Sequence, residues 1–250
     1  LTTPGAADSN QADLSDAELR ALYAYPPELV RPWVRVNFVS SVDGAVSVDG
    51  RTAGLATPSD QKVFALLREL ADVIVVGAGT ARAEGYRGAR TNPELRRARE
   101  ARGQAPVPPI AVVTASGNLA ADAPLFTDTT VAPLVITTTR GAEAHGDALR
   151  AAGAQVHTAG VERVEPATLL AVLAEQGLYR VLCEGGPTLF GDLVTADLVD
   201  EVCLTTAPLL ALGGAGRIAT GPAGEPRGLS LGHVLCDDDA TMLLRWVRRR

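Results

Sequence analysis

Four short, almost wholly apolar runs constrain this chain more than any other feature. They are Asp72-Val73-Ile74-Val75-Val76-Gly77, Ile110-Ala111-Val112-Val113-Thr114, Leu134-Val135-Ile136-Thr137 and Tyr179 to Cys183. None alternates polar with apolar, so none can keep one face in water. Strands of this kind lie in a parallel sheet covered on both faces. Helical patterns separate them. Thr57-Pro58-Ser59-Asp60 is a helix start, with Thr57 as cap and Pro58 at the first helical position, and the helix runs through Phe64, Leu67 and Leu70. Further helices are expected near 143–152, from Pro166, and from Leu189 to Thr195.

Strands are also expected over Val34 to Ser40, over 154–157 and over Val202 to Thr206. Residues 229–236 and 240–247 alternate and flank Asp237-Asp238-Asp239, which reads as a closing antiparallel hairpin. The expected class is α/β: a mostly parallel central sheet, helices on both faces, and a C-terminal antiparallel hairpin. One domain is expected over 25–250. Residues 1–24 are expected to be a flexible segment carrying a short helix, because Ser15-Asp16-Ala17-Glu18 has the capping-box form. Residues 85–109, rich in Arg, Gly and Pro, read as a long loop with a helical piece at the active site.

Composition removes several function classes. The chain has 250 residues, 46% hydrophobic, with a formal net charge of −6, so no broad basic field exists for a nucleic-acid backbone. No run of 18 apolar residues and no signal-peptide core occurs, and a soluble cytoplasmic protein is expected. Cys183, Cys203 and Cys236 are odd in number and widely spaced, which argues for buried reduced thiols. His145, His157 and His233 have no metal-ligand spacing, and no metal is expected.

The chemistry gathers at turns. Val181-Leu182-Cys183-Glu184-Gly185-Gly186-Pro187-Thr188 is a strand, a tight turn and a helix start. Such a junction aims unpaired N–H groups and a helix dipole at one point, where an anion can sit. Gly77-Ala78-Gly79-Thr80 and Gly213-Gly214-Ala215-Gly216-Arg217 are two more glycine turns after strands. Arg82 stands where a dinucleotide fingerprint needs its last glycine, so the standard dinucleotide-binding fold is disfavoured. Asn37, Ser40, Ser41 and Asp43 interrupt an otherwise apolar strand. Asp43-Gly44 is a turn, or else a pocket carboxylate that grips the donor edge of a heterocycle, with a pKa raised by partial burial. Arg68, Arg87 and Arg90 offer guanidinium forks for a phosphate monoester.

Five motifs now stand in order: Asn37-Phe38-Val39-Ser40-Ser41-Val42-Asp43-Gly44, Thr57-Pro58-Ser59-Asp60, Leu66-Leu67-Arg68, Val75-Val76-Gly77-Ala78-Gly79-Thr80 and Glu184-Gly185-Gly186-Pro187-Thr188-Leu189. In that order, over about residues 33–247, the chain resembles the riboflavin-biosynthesis pyrimidine reductases. These are the reductase half of the bifunctional deaminase-reductase and have a dihydrofolate-reductase-like fold; the likeness is to stand-alone forms. The zinc deaminase half is absent, and Glu84-Gly85-Tyr86 replaces the family's Asp-Asp-Pro.

The resemblance implies NADPH as hydride donor, 5-amino-6-(5-phosphoribosylamino)uracil as acceptor, and a homodimer. It implies a cofactor side at Ser40, Gly54, Thr57, Thr80 and Glu84, beside the Gly77 and Gly79 turn. Its pyrophosphate turn runs through Gly185, Gly186, Pro187, Thr188, Leu189, Phe190, Gly191 and Asp192. Asn37, Thr52, Arg68, Glu184 and one of Arg87 or Arg90 fall on the substrate side. Asp43 is the first candidate for moving a proton and Glu184 the second. Thr80, Arg82 and Arg140 are candidates for the 2′-phosphate. Two alternatives stay open: a dihydrofolate or pteridine reductase using the same pocket, and a non-catalytic NADPH-binding protein.

Overall fold

Buried backbone N–H and C=O groups must pair, and for uniformly apolar strands only neighbouring strands can supply the partners. The structure, a computed structural model, describes residues 14–48 and 50–249. It contains a nine-stranded sheet: β1 (Trp33–Ser41), β2 (Val73–Gly77), β3 (Ile110–Thr114), β4 (Leu134–Thr137), β5 (Gln155–Thr158), β6 (Arg180–Cys183), β7 (Glu201–Ala207), β8 (Leu229–Cys236) and β9 (Met242–Arg248). Its order is β5-β4-β3-β2-β6-β1-β7-β9-β8. Strands β1 to β7 pair in parallel, while β9 is antiparallel to both β7 and β8. The α/β class with a closing hairpin is therefore as expected. Of the flexible segment expected over 1–24, residues 1–13 lie outside the described residues; over 14–24 the expected short helix forms, but Leu19 and Tyr23 are buried in the core, so this part is packed against the domain.

Helices open where the sequence supplies caps. The helix α1 (Asp16–Leu22) starts with the full capping box of Ser15 and Glu18. In α2 (Pro58–Leu70) the Thr57 side chain accepts from the Asp60 N–H. Between β2 and β3 come α3 (Ala78–Ala83) and α4 (Pro93–Ala101). The first was read only as a glycine turn. After β3 come α5 (Pro124–Thr127), which was not expected, and α6 (Thr139–Ala151). The latter begins four residues before the expected 143 because Thr138 caps it, accepting from the Gly141 N–H. Then α7 (Pro166–Glu175) and α8 (Pro187–Thr195) flank β6.

The sheet separates two cores. On one face Leu19 of α1 and Tyr23 at its C-cap, Val63, Leu67 and Leu70 of α2, and Leu149 of α6 pack against Ile74, Val112 and Leu182. On the other, Leu169 and Leu173 of α7 and Phe190 and Leu193 of α8 pack against Val34, Val75 and Val181. The strands with unbroken apolar runs, β2, β3, β4 and β6, are buried over nearly their whole length.

Strand order makes the site. The chain runs outward from β2 to β5, returns as β6 between β2 and β1, and continues on the far side as β7. The carboxyl ends of β2, β6 and β1 thus meet at the point where the order reverses, the usual place for a ligand in such sheets. Arg99 in α4 has no exposed surface, and its Nη1 donates to the carbonyls of Glu69 (2.6 Å) and Ala71 (2.8 Å) at the end of α2. That anchors the last turn of the helix that carries Arg68.

Gly191 has a structural reason to be glycine. A Cβ there would lie 1.7 Å from the backbone oxygen of Thr220, whose N–H donates to Pro187 O. Gly191→Ala forces the segment around Thr220 off α8. We expect a cost of about 3 kcal/mol and a fall in Tm of roughly 6–12 °C. A thermal melt within about 2 °C of the parent would show that the segment does not hold the helix.

Candidate active site

A cavity of about 510 Å³ opens at the reversal point, lined by residues of β1, α2, α3 and the two glycine turns. Helix α2 supplies one wall: Asp60, Phe64 and Arg68 recur every fourth residue, a spacing that puts them on one face. Arg68 lies over the Phe64 ring, 4.4 Å from its centroid.

Glu184, at the end of β6, is almost fully buried. It accepts from Arg68 through both oxygens, Nε to Oε1 and Nη2 to Oε2, each at 2.7 Å. Such a two-pronged pair is strong and directional. The Tyr86 hydroxyl also donates to Glu184 Oε2, at 2.6 Å. Burial, reinforced by the Glu184 carboxylate, pushes the Tyr86 phenol well above its usual range. The Arg68 guanidinium lies 5.5 Å from the Tyr86 ring centroid and lines the cavity. Across the cavity Thr52 donates to Glu84 from its hydroxyl (3.0 Å) and from its N–H (3.2 Å).

The two glycine turns form the other wall and touch. Gly77 N donates to Gly185 O at 2.7 Å. A Cβ on Gly186 would come 2.5 Å from Thr80 Oγ1, and one on Gly185, whose φ is +89°, would come 2.7 Å from the Phe38 ring. Only glycine lets these chains approach so closely. The N-caps of α3 and α8 are Gly77 and Gly186, and neither has a side chain to satisfy the first helical N–H groups. Those donors stay available to an anion. The residues thus fit a phosphorylated cofactor: a glycine cradle, the Thr80 hydroxyl and two uncapped helix ends.

Several expected positions fall elsewhere. Asp43 is not in this cavity. Its carboxylate accepts from the Ser41 hydroxyl, from Leu212 N (2.8 Å) and from Ala211 N (3.1 Å). It thereby ties β1 to the loop after β7, beside a second cavity lined by Gly213, Gly216 and Arg217. The expected raised pKa is corrected: the Ser41 and backbone hydrogen bonds hold Asp43 down at about 2. A carboxyl so placed stays ionised and is a poor proton carrier. The Gly213 turn likewise joins Asp43, away from the other two.

Thr57 caps α2, Ser40 is buried in β1, and Gly54 packs against Val48; none of the three lines the cavity. The Phe190 ring stacks on Phe38 with centroids 5.4 Å apart, and the Leu189 side chain also lies in the core. The contribution of these two to a cofactor site is thereby limited to backbone. Thr188 and Asp192 are exposed on α8. Arg90 pairs with Asp128 in the open, whereas Arg87 pairs with the same residue and also lines the cavity. Asn37, Thr52, Arg68, Thr80, Glu84, Glu184, Gly186 and Pro187 do come together there. Asp60, Phe64 and Tyr86 join them without having been expected. The fourfold spacing of Asp60, Phe64 and Arg68 was the available signal. Cys183 has no exposed surface and does not line the cavity, and burial pushes its thiol up to about 12.

The family model described as the RibD C-terminal domain matches residues 32–241. The chain belongs to this pyrimidine reductase family. Membership in this oxidoreductase family agrees with the cradle and cavity just described. A relative from Archaeoglobus fulgidus, 2,5-diamino-6-ribosylamino-4(3H)-pyrimidinone 5′-phosphate reductase, is 31% identical over 181 residues, 72% of this chain and 82% of that one. Its namesake from Aquifex aeolicus is 29% identical over 188 residues, 73% and 80% of the two chains. Among solved structures, a pyrimidine reductase-like protein from Corynebacterium diphtheriae superposes with a TM-score of 0.81 at 22% identity, covering 93% of this chain and 98% of the other. Among the described residues no helix is long and apolar enough to cross a membrane.

Proposed function

We propose that this family member reduces a 6-ribosylaminopyrimidine 5′-phosphate to its ribitylamino form in riboflavin biosynthesis, with NADPH as donor. The observation that carries this is the pairing of a glycine-cradled, anion-ready wall with a wall bearing Arg68, Glu184 and Tyr86. NADPH, when bound, supplies the hydride. Gly77, Thr80, Gly186 and the first turns of α3 and α8 would hold it. On the opposite wall Arg68, with Arg87, offers charge to the substrate phosphate, and Phe64 offers an aromatic face to the heterocycle.

The reduction adds a hydride to the imine carbon of the ring-opened ribosylamine and a proton to its nitrogen. We assign delivery of that proton to Glu184, which Arg68 and the Tyr86 hydroxyl hold in the cavity. Asp43, ionised and tied to a loop, is assigned a structural part. We further propose a cytoplasmic homodimer. Leu204, Leu244, Trp246, Val234 and Leu231 fall on one face of β7, β9 and β8 by strand register, and Leu231 is half exposed.

The test is steady-state NADPH oxidation with 5-amino-6-(5-phosphoribosylamino)uracil, its 2-amino precursor and dihydrofolate as separate acceptors. Turnover of either ribosylaminopyrimidine is expected. Dihydrofolate turning over far faster would sink the riboflavin reading. NADPH binding by calorimetry with no oxidation in any mixture would favour a non-catalytic binding protein.

A further inference from the structure

A helix leaves its last carbonyls without helical partners, and groups from elsewhere must satisfy them. In α2 the final helical bond runs from Ala71 N to Leu67 O, and Asp72 N then turns away to Arg180 O. The carbonyls of Arg68, Glu69, Leu70 and Ala71 are left over. Side chains of one short segment, 99–104, take all four. Arg99 Nη1 donates to Arg68 O (3.3 Å), Glu69 O (2.6 Å) and Ala71 O (2.8 Å). Arg102 Nη2 donates to Glu69 O (3.2 Å) and Gln104 Nε2 to Leu70 O (3.0 Å).

Arg99 is the centre of this cap. It has no exposed surface, and among the described residues none of its hydrogen bonds goes to a carboxylate. A cation buried among carbonyls is costly. The negative end of the α2 dipole offsets part of that cost. Arg99 Nε also donates to Ala105 O at 2.8 Å, so one planar fork joins the end of α2 to the turn that leads into β3. A lysine ammonium is a point donor and does not span both sites.

Arg68 stands in the capped turn. Its backbone is held from behind by Arg99, and its side chain is held in front by both oxygens of Glu184. The glycine wall is held separately: Gly77 belongs to the β2 ladder and donates to Gly185 O. A disturbance at Arg99 therefore reaches Arg68 and stops short of the cofactor turns.

We propose that Arg99 is a positioning residue, which fixes the Arg68–Glu184 pair through the last turn of α2. Its effect on turnover rests on the reductase reading above; its effect on Arg68 does not.

The test is Arg99→Lys, alone and combined with Arg68→Lys. With the ribosylaminopyrimidine phosphate that the parent reduces faster, the single variant should raise KM by about tenfold or more, since small misplacements of a binding group are expensive. NADPH affinity by calorimetry should stay within about twofold of the parent. In the Arg68→Lys background the added substitution should change KM by less than about twofold, because the fork it positions is gone. A fall in NADPH affinity that matches the rise in KM, or the same factor in both backgrounds, overturns the proposal, because a merely structural role gives that result. A second measurement needs no turnover: hydrogen exchange of arginine Nε–H groups by NMR. The Arg68 Nε–H, bonded to Glu184, should exchange about tenfold faster in Arg99→Lys. The Arg35 Nε–H, bonded to Glu201 in a buried pair elsewhere, should not change and serves as reference. Both signals moving together, or neither moving, overturns the proposal. If Arg99→Lys does not fold, Gln104→Met, which frees only Leu70 O and the Asp72 contact, is read in the same way. Turnover of neither acceptor by the parent overturns the reductase reading, and the exchange rates then decide Arg99 by themselves.

Discussion

Glu184→Gln should lower kcat/KM by about 10²–10³-fold while NADPH affinity stays within about twofold of the parent. The carboxylate uses both oxygens on Arg68 and also accepts from Tyr86. An amide of the same shape keeps one acceptor and turns the other position into a donor. That donor meets either the Arg68 guanidinium or the Tyr86 hydroxyl, each of which already presents hydrogen. The pair opens, Arg68 loses its fixed direction, and the carboxylate that delivers the proton is gone. Tyr86→Phe is the milder control. It removes one hydrogen bond, and a loss of about 5–20-fold is expected. Both variants are read by steady-state kinetics and by calorimetric titration with NADPH. The assignment fails if cofactor affinity falls as far as turnover, or if Glu184→Gln costs no more than Tyr86→Phe.

Glu201→Ala should be the most destabilising change outside the site, at about 3–5 kcal/mol. Glu201 begins β7 with no exposed surface and pairs with Arg35, which is equally buried. It also accepts from Arg245 Nη2 at 2.7 Å and from Trp33 Nε1 at 3.2 Å. The Arg35 guanidinium lies 3.9 Å from the Tyr25 ring centroid. Removing the carboxylate leaves a buried guanidinium with a ring but no anion. For a chain of this size the expected fall in Tm is roughly 6–20 °C. A change of less than about 2 °C in a thermal melt would show the network to be dispensable.

The same network gives a sign for acid unfolding. Burial would raise the Glu201 carboxyl, but Arg35 and Arg245 hold it below its ordinary value of 4.5. A group depressed on folding stabilises above its unfolded pKa and loses that contribution as pH falls through the folded one. Stability of the parent should therefore drop more steeply below about pH 4.5 than that of Glu201→Gln, in denaturant melts across the acid range.

Local chemistry was legible wherever one segment contains its own explanation. The uniformly apolar runs specify buried strands because no alternation is left for a wet face. Thr57-Pro58 and Ser15 to Glu18 specify helix starts because cap and first turn are neighbours in the chain. Arg68 and Glu184 were assigned to the substrate side through the family likeness, and both line the cavity. Asp60 was passed over because an acidic residue three places after a threonine reads as helix-start chemistry. Only the tertiary structure sets it on the cavity wall with Phe64 and Arg68. Asp43 was overvalued for the converse reason. Besides the neighbouring Ser41, its partners are the N–H groups of Ala211 and Leu212, 168 and 169 residues away, and no local pattern announces them.

What the sequence by itself determined is the strands, the longer helices with their caps, and the glycine turns at two strand ends; the short helices α3 and α5 were not among them. Tertiary structure decided which turns meet. Strand β6 returns to lie between β2 and β1, and this sets Gly77 against Gly185 and Glu184 against Arg68 and Tyr86. Periodicity is a property of neighbours along the chain, whereas strand pairing is a choice among distant partners. Its free energy comes from burying both faces of the whole sheet at once, so no single segment encodes it.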